Sequence, residues 1–294
     1  MESKILCSPD ESVRKESINV TAPTPLPDVA PCPPPRLENR IIVVTGAGSG
    51  IGRGMALALA RNGGCVVVSD VNETAAAAVA QEITAADGQA LAVRADVTQA
   101  ESVAELFDKA EAAFGPVDVI FNNAGVSLKE PFLSTTESQW DLMMSVNGLG
   151  PLLCTQEAAR RFLKHGTRGK IINTCSTSSR QPSANFCAYA ASKAAVLSLT
   201  HSSARALAPH GITVNGIGPG IIQSQLWNEM DRSTNGEVRS ATQGADLGNY
   251  VSTIPLGRVG QPDDLGPTAV FLASADSDYI TGQLIMVDGG IVIQ

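Results

Sequence analysis

The chain has 294 residues, of which 44% are hydrophobic, and its formal net charge is −8. This hydrophobic content suffices for one large core, and the length allows one or two domains. The acidic balance argues against nucleic-acid binding and against an anionic membrane surface, because both partners are themselves anionic. No stretch reaches the roughly 18 apolar residues of a membrane-spanning helix.

The N-terminus and the cysteines indicate a compartment. The first residues lack the apolar core of a secretory signal, and their acidic residues disfavour a transit peptide. Six cysteines are spread along the chain without a CxxC pair, which is typical of reduced thiols. The three histidines are scattered without ligand spacing, so no metal is expected. These features predict a cytoplasmic protein.

Residues 1–38 differ in composition from the rest of the chain. Seven of the 15 residues from 21 to 35 are proline, which favours an extended conformation and cannot form a packed core. We therefore expect a Pro-rich, flexible N-terminal extension over 1–38. An arm that docks a partner or braces an oligomer is the alternative. The folded domain is expected at 39–294.

From Arg40 onward, short apolar runs alternate with helix-prone segments. The predicted strands are 41–44, 65–70, 90–94, 117–122, 170–173 and 212–217, and the predicted helices are 55–60, 74–86, 101–114, 138–164 and 188–208. Apolar strands separated by helices are typical of a parallel sheet covered on both faces. The sequence therefore predicts an α/β fold with a single, doubly wound, Rossmann-type sheet, whose ligands lie at the carboxyl ends of the strands.

A glycine-rich turn, Thr45-Gly46-Ala47-Gly48-Ser49-Gly50-Ile51-Gly52, follows the first predicted strand and leads into the first predicted helix. Glycines permit a tight turn and let the backbone approach a pyrophosphate. The N-terminus of the helix then offers N–H groups and the positive end of its dipole to the phosphates. The candidate phosphate-binding residues are Gly46, Ser49, Gly50, Ile51 and Gly52.

Asp70 ends the second predicted strand, eighteen residues after Gly52. A carboxylate at this position can accept hydrogen bonds from both hydroxyls of an adenosine ribose, and it would repel a 2′-phosphate. Val71 and Ser49, which flank the expected ribose site, add no positive charge. These residues predict NAD as the cofactor, with NADP as the less favoured alternative.

Two further strand ends supply candidate cofactor residues. Asp96 and Val97 follow the third predicted strand, where an adenine could lie. Asn123, Ala124 and Gly125 follow the fourth, where the amide can tie strand ends together and line the cofactor. A simple turn is the alternative for this Asn-Gly cluster.

Tyr189 and Lys193 are four residues apart in a helix-prone run, so they share one helix face. A tyrosine pKa near 10 is too high for an efficient base, and a nearby ammonium should lower it. Lys193 could also hold the nicotinamide ribose. Ser176, thirteen residues before Tyr189, could hold the substrate oxygen as charge develops. A Ser–His–acid hydrolase is disfavoured, because Gly48-Ser49-Gly50 belongs to the phosphate turn.

Together, these motifs resemble the short-chain dehydrogenase/reductase family from about Leu37 to the C-terminus. The resemblance implies that Asn147 is a fourth catalytic residue, which holds a water that relays protons to Lys193. It also implies that the segment from Pro219 to Ser224 fixes the nicotinamide carboxamide, through Pro219, Gly220, Ile222 and Ser224. The family usually has threonine where Ser224 stands. A homotetramer or homodimer is implied, through helices near 151–164 and 188–208 and the tail at 288–294.

Residues 225–250 form a long segment after the expected carboxamide loop. Its apolar residues Trp227 and Met230 predict a lid that closes over the substrate. A variable surface insertion is the alternative. The sequence around this segment is similar to acetoin/diacetyl reductases and polyol dehydrogenases of the family.

The chain is therefore expected to be an NAD-dependent oxidoreductase that interconverts a secondary alcohol and a ketone. The expected substrate is a small hydroxyketone, a polyol or a biosynthetic carbonyl compound. A reductase of 3-oxoacyl thioesters or of steroid-like carbonyls is one alternative, although the thioester reductases normally prefer NADPH. A cofactor-bound sensor without turnover is another, although such proteins usually lose the tyrosine or the lysine.

Overall fold

The computed structural model describes residues 36–223 and 251–293. Most of the Pro-rich extension, at 1–35, lies outside these ranges, as does the predicted lid at 225–250. Three candidate site residues, Ser224, Trp227 and Met230, also lie outside the described residues.

The described residues form a parallel sheet of seven strands in the order β3-β2-β1-β4-β5-β6-β7. The strands are β1 (Ile41–Thr45), β2 (Cys65–Asp70), β3 (Gln89–Arg94), β4 (Val119–Asn122), β5 (Lys170–Thr174), β6 (Thr213–Pro219) and β7 (Leu284–Val287). The chain moves outward in one direction from β1 to β3 and then returns to the other side of β1 with β4. The crevice at this reversal is where open α/β sheets bind ligands.

Helices cover both faces of this sheet. They are α1 (Gly50–Arg61), α2 (Glu73–Ala85), α3 (Ala100–Phe114), α4 (Glu137–Met143), α5 (Gly150–His165), α6 (Cys187–Leu207) and α7 (Gly266–Ala273). One apolar core lies between the sheet and helices α1, α2 and α7, with Met55 and Leu59 fully buried. A second core lies on the opposite face against α3 and α5, with Phe107 and Phe162 buried. The predicted doubly wound α/β fold is confirmed.

The structure differs from the predicted elements in two places. The predicted helix over 138–164 is two helices, α4 and α5, joined by a π-helical turn at Met144–Leu149. The last strand, β7, and the preceding helix α7 were absent from the prediction. All four residues of β7 are only partly buried, because this strand lies at the edge of the sheet and pairs with β6 alone. Its four residues, Leu284–Val287, are nevertheless all apolar, and two of them, Ile285 and Val287, pack against the core.

Candidate functional site

A cavity of about 1130 Å³ lies at the carboxyl ends of the strands. It extends from Asp70 at the end of β2, past the glycine-rich turn after β1, to Ser176 after β5 and Gly220 after β6. The parallel arrangement brings these separate segments together, since every strand ends at the same edge of the sheet. Of the candidate site residues that the structure describes, all line this cavity except Asn147, which is fully buried.

The glycines of the turn are required by packing within the protein. Gly46 has φ +63°, and a Cβ atom there would lie 2.7 Å from the Cα of Ala124. A Cβ at Gly52 would collide with the carbonyl oxygen of Gly46. From the sequence, these glycines are expected to let a pyrophosphate approach the backbone. In the structure, the first obstacle to a side chain at either position is the protein backbone itself.

The N-terminus of α1 opens into the cavity. Ser49, Gly50, Ile51 and Gly52 all line it, and the Ser49 side chain makes no capping hydrogen bond to the helix. In contrast, Asn72 at the start of α2 accepts a hydrogen bond from the Ala75 N–H. The uncapped N–H groups of α1 thus face an open space without an acidic residue in the first turn. This arrangement fits the phosphates of a dinucleotide, because helix N-termini bind anions.

Asp70 is held by the backbone on both sides of its carboxylate. Its Oδ2 accepts a hydrogen bond of 2.9 Å from the N–H of Gly48, and its Oδ1 accepts one of 2.9 Å from the N–H of Asn72. Each oxygen keeps a further lone pair, since a carboxylate has about four acceptor positions. The carboxylate lines the cavity beside Val71, which is exposed. Both features fit a ribose whose hydroxyls donate to Asp70.

Asp96 and Val97 lie next to this end of the cavity. Asp96 Oδ1 accepts hydrogen bonds from the N–H of Thr98 at 2.9 Å and from its hydroxyl at 2.7 Å. These contacts fix the turn after β3, and Asp96 itself lines the cavity. Val97 is 7% exposed and also packs in the core, so its side chain has a structural role as well.

Asn123 connects three strand ends. Its Nδ2 donates to the carbonyl oxygens of Thr45 and Gly46, at 3.0 and 3.1 Å. Its Oδ1 accepts a hydrogen bond of 3.3 Å from the hydroxyl of Thr174 at the end of β5. Ala124 and Gly125 follow and line the centre of the cavity. The amide therefore holds the glycine-rich turn against the strands that carry the candidate reacting residues.

Ser176 and Tyr189 meet in the cavity. Their side chains are close enough to interact, although they belong to different elements. Ser176 follows β5, and its Oγ accepts a hydrogen bond of 3.1 Å from the N–H of Ser178. Tyr189 is on the first turn of α6, with its ring 6.3 Å from that of Phe186 in an edge-to-face arrangement. Two hydroxyl groups are thus presented side by side.

Lys193 lies one turn further along α6, beneath the tyrosine. Its Nζ is 5.8 Å from the centroid of the Tyr189 ring and donates a hydrogen bond of 2.8 Å to the carbonyl oxygen of Thr174. The side chain is buried. Burial disfavours the charged ammonium and lowers the pKa of Lys193 to about 8, although the neighbouring Cys175 acts in the opposite direction.

The expected effect of Lys193 on the pKa of Tyr189 is not found. The pKa of Tyr189 is raised, because burial disfavours the phenolate. The interaction with the Ser176 hydroxyl opposes this change but does not outweigh it. The expectation rested on the charge of the neighbouring ammonium alone, whereas the loss of hydration on burial acts on both groups.

Asn147 lies in the π-helical turn between α4 and α5 and is fully buried. Its Oδ1 accepts a hydrogen bond of 2.8 Å from the N–H of Val126, and its Nδ2 donates to the Val126 carbonyl at 2.9 Å and to the Ser192 hydroxyl at 3.0 Å. All polar atoms of this side chain are therefore engaged by the protein. A Cβ built at Gly125 would be 3.1 Å from Asn147 Oδ1 and 3.6 Å from Lys193 Nζ, so the three residues are close neighbours.

The segment after β6 brings Pro219, Gly220 and Ile222 to the cavity. The N–H of Gly220 donates to the carbonyl of Val287 at 3.1 Å, and a Cβ at Gly220 would lie 2.7 Å from the Cα of Asp288. Ile222 is 3% exposed and packs into a core as well as lining the cavity.

Several lining residues escaped the sequence analysis. They include Ser127, Leu142, Gln181, Phe186, Thr253 and Ile291. Phe186 and Gln181 could have been found by their closeness to Tyr189 and Ser176 in sequence. Ile291 lies in the C-terminal segment, and no sequence motif connects it to the others. Ser127 has a buried hydroxyl for which the structure shows no hydrogen-bond partner.

Within 36–223 and 251–293, no group of three or more His, Cys, Asp or Glu side chains is arranged to hold a metal ion. None of the helices in these ranges is long and apolar enough to cross a membrane.

Comparison with known proteins places this geometry in a family. Residues 46–292 match the family described as "Enoyl-(Acyl carrier protein) reductase". The chain is similar to a diacetyl reductase that forms (S)-acetoin, from Staphylococcus epidermidis, with 37% identity over 86% of this chain and 99% of the relative. It is also similar to a sorbitol dehydrogenase from Cereibacter sphaeroides, with 37% identity over 87% of this chain and 98% of the relative.

A solved structure extends this similarity to the fold. The crystal structure of a short-chain type dehydrogenase/reductase from Mycobacterium marinum superposes with a TM-score of 0.80. The two sequences are 35% identical, and the match covers 88% of this chain and 97% of the other. The chain therefore belongs to the short-chain dehydrogenase/reductase family, and it is an NAD(P)-dependent oxidoreductase that acts on CH–OH groups.

Proposed function

We propose that this enzyme interconverts a secondary alcohol and a ketone with NAD, and that Tyr189 is the acid/base group. The observation that carries the proposal is that Ser176 and Tyr189 bring their side chains together in the same cavity that contains Asp70. Two hydroxyl donors side by side can hold one carbonyl oxygen and supply it with a proton. The nicotinamide cofactor supplies the hydride when it is bound.

The raised pKa of Tyr189 suits proton donation. A phenol whose pKa lies above its ordinary value of 10.0 is protonated at neutral pH. In the reductive direction, Tyr189 gives its proton to the oxygen of the ketone as that oxygen gains negative charge. Ser176 stabilises the same charge by donating a hydrogen bond. In the oxidative direction the proton must return to a phenolate, which burial disfavours.

Lys193 and Asn147 support the reacting pair. The Nζ atom of Lys193 lies 5.8 Å from the centroid of the Tyr189 ring, beside the reacting hydroxyl groups. It is also in a position to hold a ribose hydroxyl. Asn147 fixes the backbone at Val126 and the Ser192 hydroxyl, one residue before Lys193. We therefore assign Asn147 a positioning role through its side chain. We also propose, as the family resemblance implies, that Asn147 holds a water that relays protons to Lys193.

The choice of NAD follows from Asp70. A fixed carboxylate at the ribose end would repel the 2′-phosphate of NADP, and neither Val71 nor Ser49 compensates with a positive charge. The cationic residue nearest to Ser49 in sequence is Arg53, and its side chain forms an ion pair of 2.6 Å with Glu82 on α2. It is thus already engaged by an acidic partner.

The proposed substrate is a small hydroxyketone, vicinal diketone or polyol. Polar side chains such as Gln181 and Ser183 line the cavity together with apolar ones such as Leu142 and Phe186. This mixture suits a short carbon chain that carries a second oxygen next to the reacting one. The names of the diacetyl and sorbitol enzymes given above support the same class. A 3-oxoacyl thioester is the second candidate in the test below.

The test is a substrate panel with purified full-length protein, followed by the absorbance of NADH. It contains 2,3-butanedione, acetoin, sorbitol and a 3-oxoacyl thioester. Carbonyl compounds are tested with NADH and with NADPH, and alcohols with NAD and with NADP. We expect the short diketone and hydroxyketone to be turned over and the thioester to be slow. Preferential turnover of the thioester would replace the proposed substrate class with the second candidate.

Two tyrosine variants test the mechanism. Tyr189→Phe should lower kcat by about 100-fold or more, the usual contribution of a proton-transfer group, while the Kd of NADH stays nearly unchanged. Tyr279→Phe is the matched control, because Tyr279 is fully exposed and should be silent. If Tyr189→Phe retains more than about a tenth of the wild-type activity, the tyrosine has no role in proton transfer.

A further inference from the structure

The C-terminal segment turns back into the cavity after β7. Gly289 and Gly290, with φ +68° and +91°, redirect the chain at the end of the strand. Ile291 then lines the same cavity as Ser176 and Tyr189. The next residue, Val292, is buried, whereas Ile293 is 82% exposed. Ile291 therefore faces the cavity, whereas Ile293, two residues later, is exposed to solvent.

The position of Ile291 is well defined by its neighbours. Asp288 Oδ1 accepts a hydrogen bond of 2.9 Å from the N–H of Gly290, and Oδ2 accepts one of 2.8 Å from the N–H of Val292. The Gly289 carbonyl accepts a hydrogen bond of 3.1 Å from the N–H of Leu256. One carboxylate thus holds the backbone on both sides of Ile291.

The strand order places Ile291 at the end of the cavity opposite to Asp70. Asp70 ends β2, near one edge of the sheet, whereas Ile291 follows β7 at the other edge. Ser176 follows β5 and lies between them. If the adenosine of the cofactor lies against Asp70, the space from Ser176 toward β7 is left for the nicotinamide and the substrate.

We propose that Ile291 determines specificity by limiting the size of the substituent that flanks the reacting carbonyl, and that Asp288 is the positioning residue that holds it there. This inference rests on the proposed function, because it takes Ser176 and Tyr189 as the place of reaction. It adds a wall of the substrate site that is contributed by the last residues of the chain.

The experiment compares one short and one long diketone in three variants. The measured quantity is the ratio of kcat/KM for 2,3-hexanedione to that for 2,3-butanedione, with NADH. Ile291→Ala should raise this ratio by about tenfold or more, since one or two methylenes in a pocket have effects of this size. Ile291→Phe should lower it. Ile293→Ala is the matched control and should leave the ratio at the wild-type value.

Asp288→Asn tests the positioning role. The carboxamide keeps one acceptor oxygen but presents an NH₂ group to the other backbone N–H, so one of the two hydrogen bonds is lost. The ratio should move in the same direction as in Ile291→Ala. A general structural defect would instead lower kcat/KM for both diketones by the same factor.

Three results would decide against the proposal. Equal ratios in Ile291→Ala and Ile293→Ala would show that Ile291 does not contact the substituent. An altered KM for NADH with an unchanged ratio would assign Ile291 to the cofactor site instead. A change in mass by light scattering in Ile291→Ala alone would trace its effect to assembly.

Failure of the proposed substrate class can be distinguished from failure of the proposal for Ile291. If the wild-type protein turns over neither diketone, the proposed substrate class is wrong. The ratio is then measured for oxidation of 2-octanol against 2-butanol with NAD, with the same expected directions in the Ile291 variants. Loss of all activity in Tyr189→Phe would still support the assignment of the reacting group.

Discussion

Lys193 Nζ lies 5.8 Å from the centroid of the Tyr189 ring, one helical turn away on the same face of α6. Both groups are affected by the same burial, with opposite consequences. The pKa of the phenol is raised and the pKa of the ammonium is lowered, because each is disfavoured in its charged form. The neutral phenol is thus the stable form over a wide pH range, whereas the charge on Lys193 is lost within the working range of an enzyme.

A pH dependence follows from Lys193. Since its pKa is lowered to about 8, the ammonium loses its proton as the pH rises through about 8. We expect kcat/KM for NADH in the reductive direction to fall over pH 7 to 9, because this parameter reports groups of the free enzyme. Lys193→Arg should remove the decline, whatever its absolute rate, since arginine stays charged. A flat wild-type profile from pH 7 to 9 would show that the charge on Lys193 is not needed.

Cofactor preference should depend on the carboxylate of Asp70. We expect the double variant Asp70→Ala, Val71→Arg to shift the kcat/KM ratio of NADPH to NADH upward by about tenfold or more, which corresponds to about 1.4 kcal/mol. The removed carboxylate no longer repels a 2′-phosphate, and the added guanidinium attracts it. Val71→Arg alone is the control and should give a smaller shift. A wild-type enzyme that uses NADPH better than NADH at equal low concentrations would contradict the assignment.

The buried thiol of Cys154 should make stability depend on pH. Burial raises its pKa from the ordinary 9.0 to about 12. The unfolded chain therefore loses this proton first, and the free energy of unfolding falls as the pH rises from about 9 toward 12. Relative to Cys154→Ala, the wild type should lose about 1 kcal/mol more between pH 8 and pH 10. Urea denaturation at both pH values measures this difference. Equal losses in the two proteins would refute it.

An assembly prediction follows from α6. Ala194, Ser198 and Ser202 are exposed and four residues apart, so they form a row of small side chains along one face of this helix. Small side chains let two helices approach closely, and we expect a homodimer or homotetramer that uses this face. Light scattering at micromolar protein should show a multiple of the 30.5 kDa chain. Ser198→Arg should lower the mass, whereas Ala78→Arg, at an exposed position of α2, should not. A monomeric wild-type protein would rule out the assembly.

Some features of this protein could be predicted from sequence because they depend on neighbouring residues. The strand–turn–helix unit around Gly46 follows from an apolar run, glycines and a helix-prone run. The shared face of Tyr189 and Lys193 follows from the helical period alone. The position of Asp70 at a strand end follows from the length of the preceding apolar run. The family resemblance depended on the same local patterns, and the comparisons confirm it.

Other features were decided by tertiary structure, because they depend on which segments meet and on what surrounds them. The raised pKa of Tyr189 reflects burial, which no spacing encodes. The reason for glycine at 52 is the carbonyl of Gly46, and the packing of the turn decides that contact. The pairing of β7 with β6 brings Ile291 to a cavity whose other residues lie far back in the chain, and no local pattern specifies that pairing. Local residue patterns specify helices, strands and turns, whereas burial and long-range contacts arise only when these elements pack together.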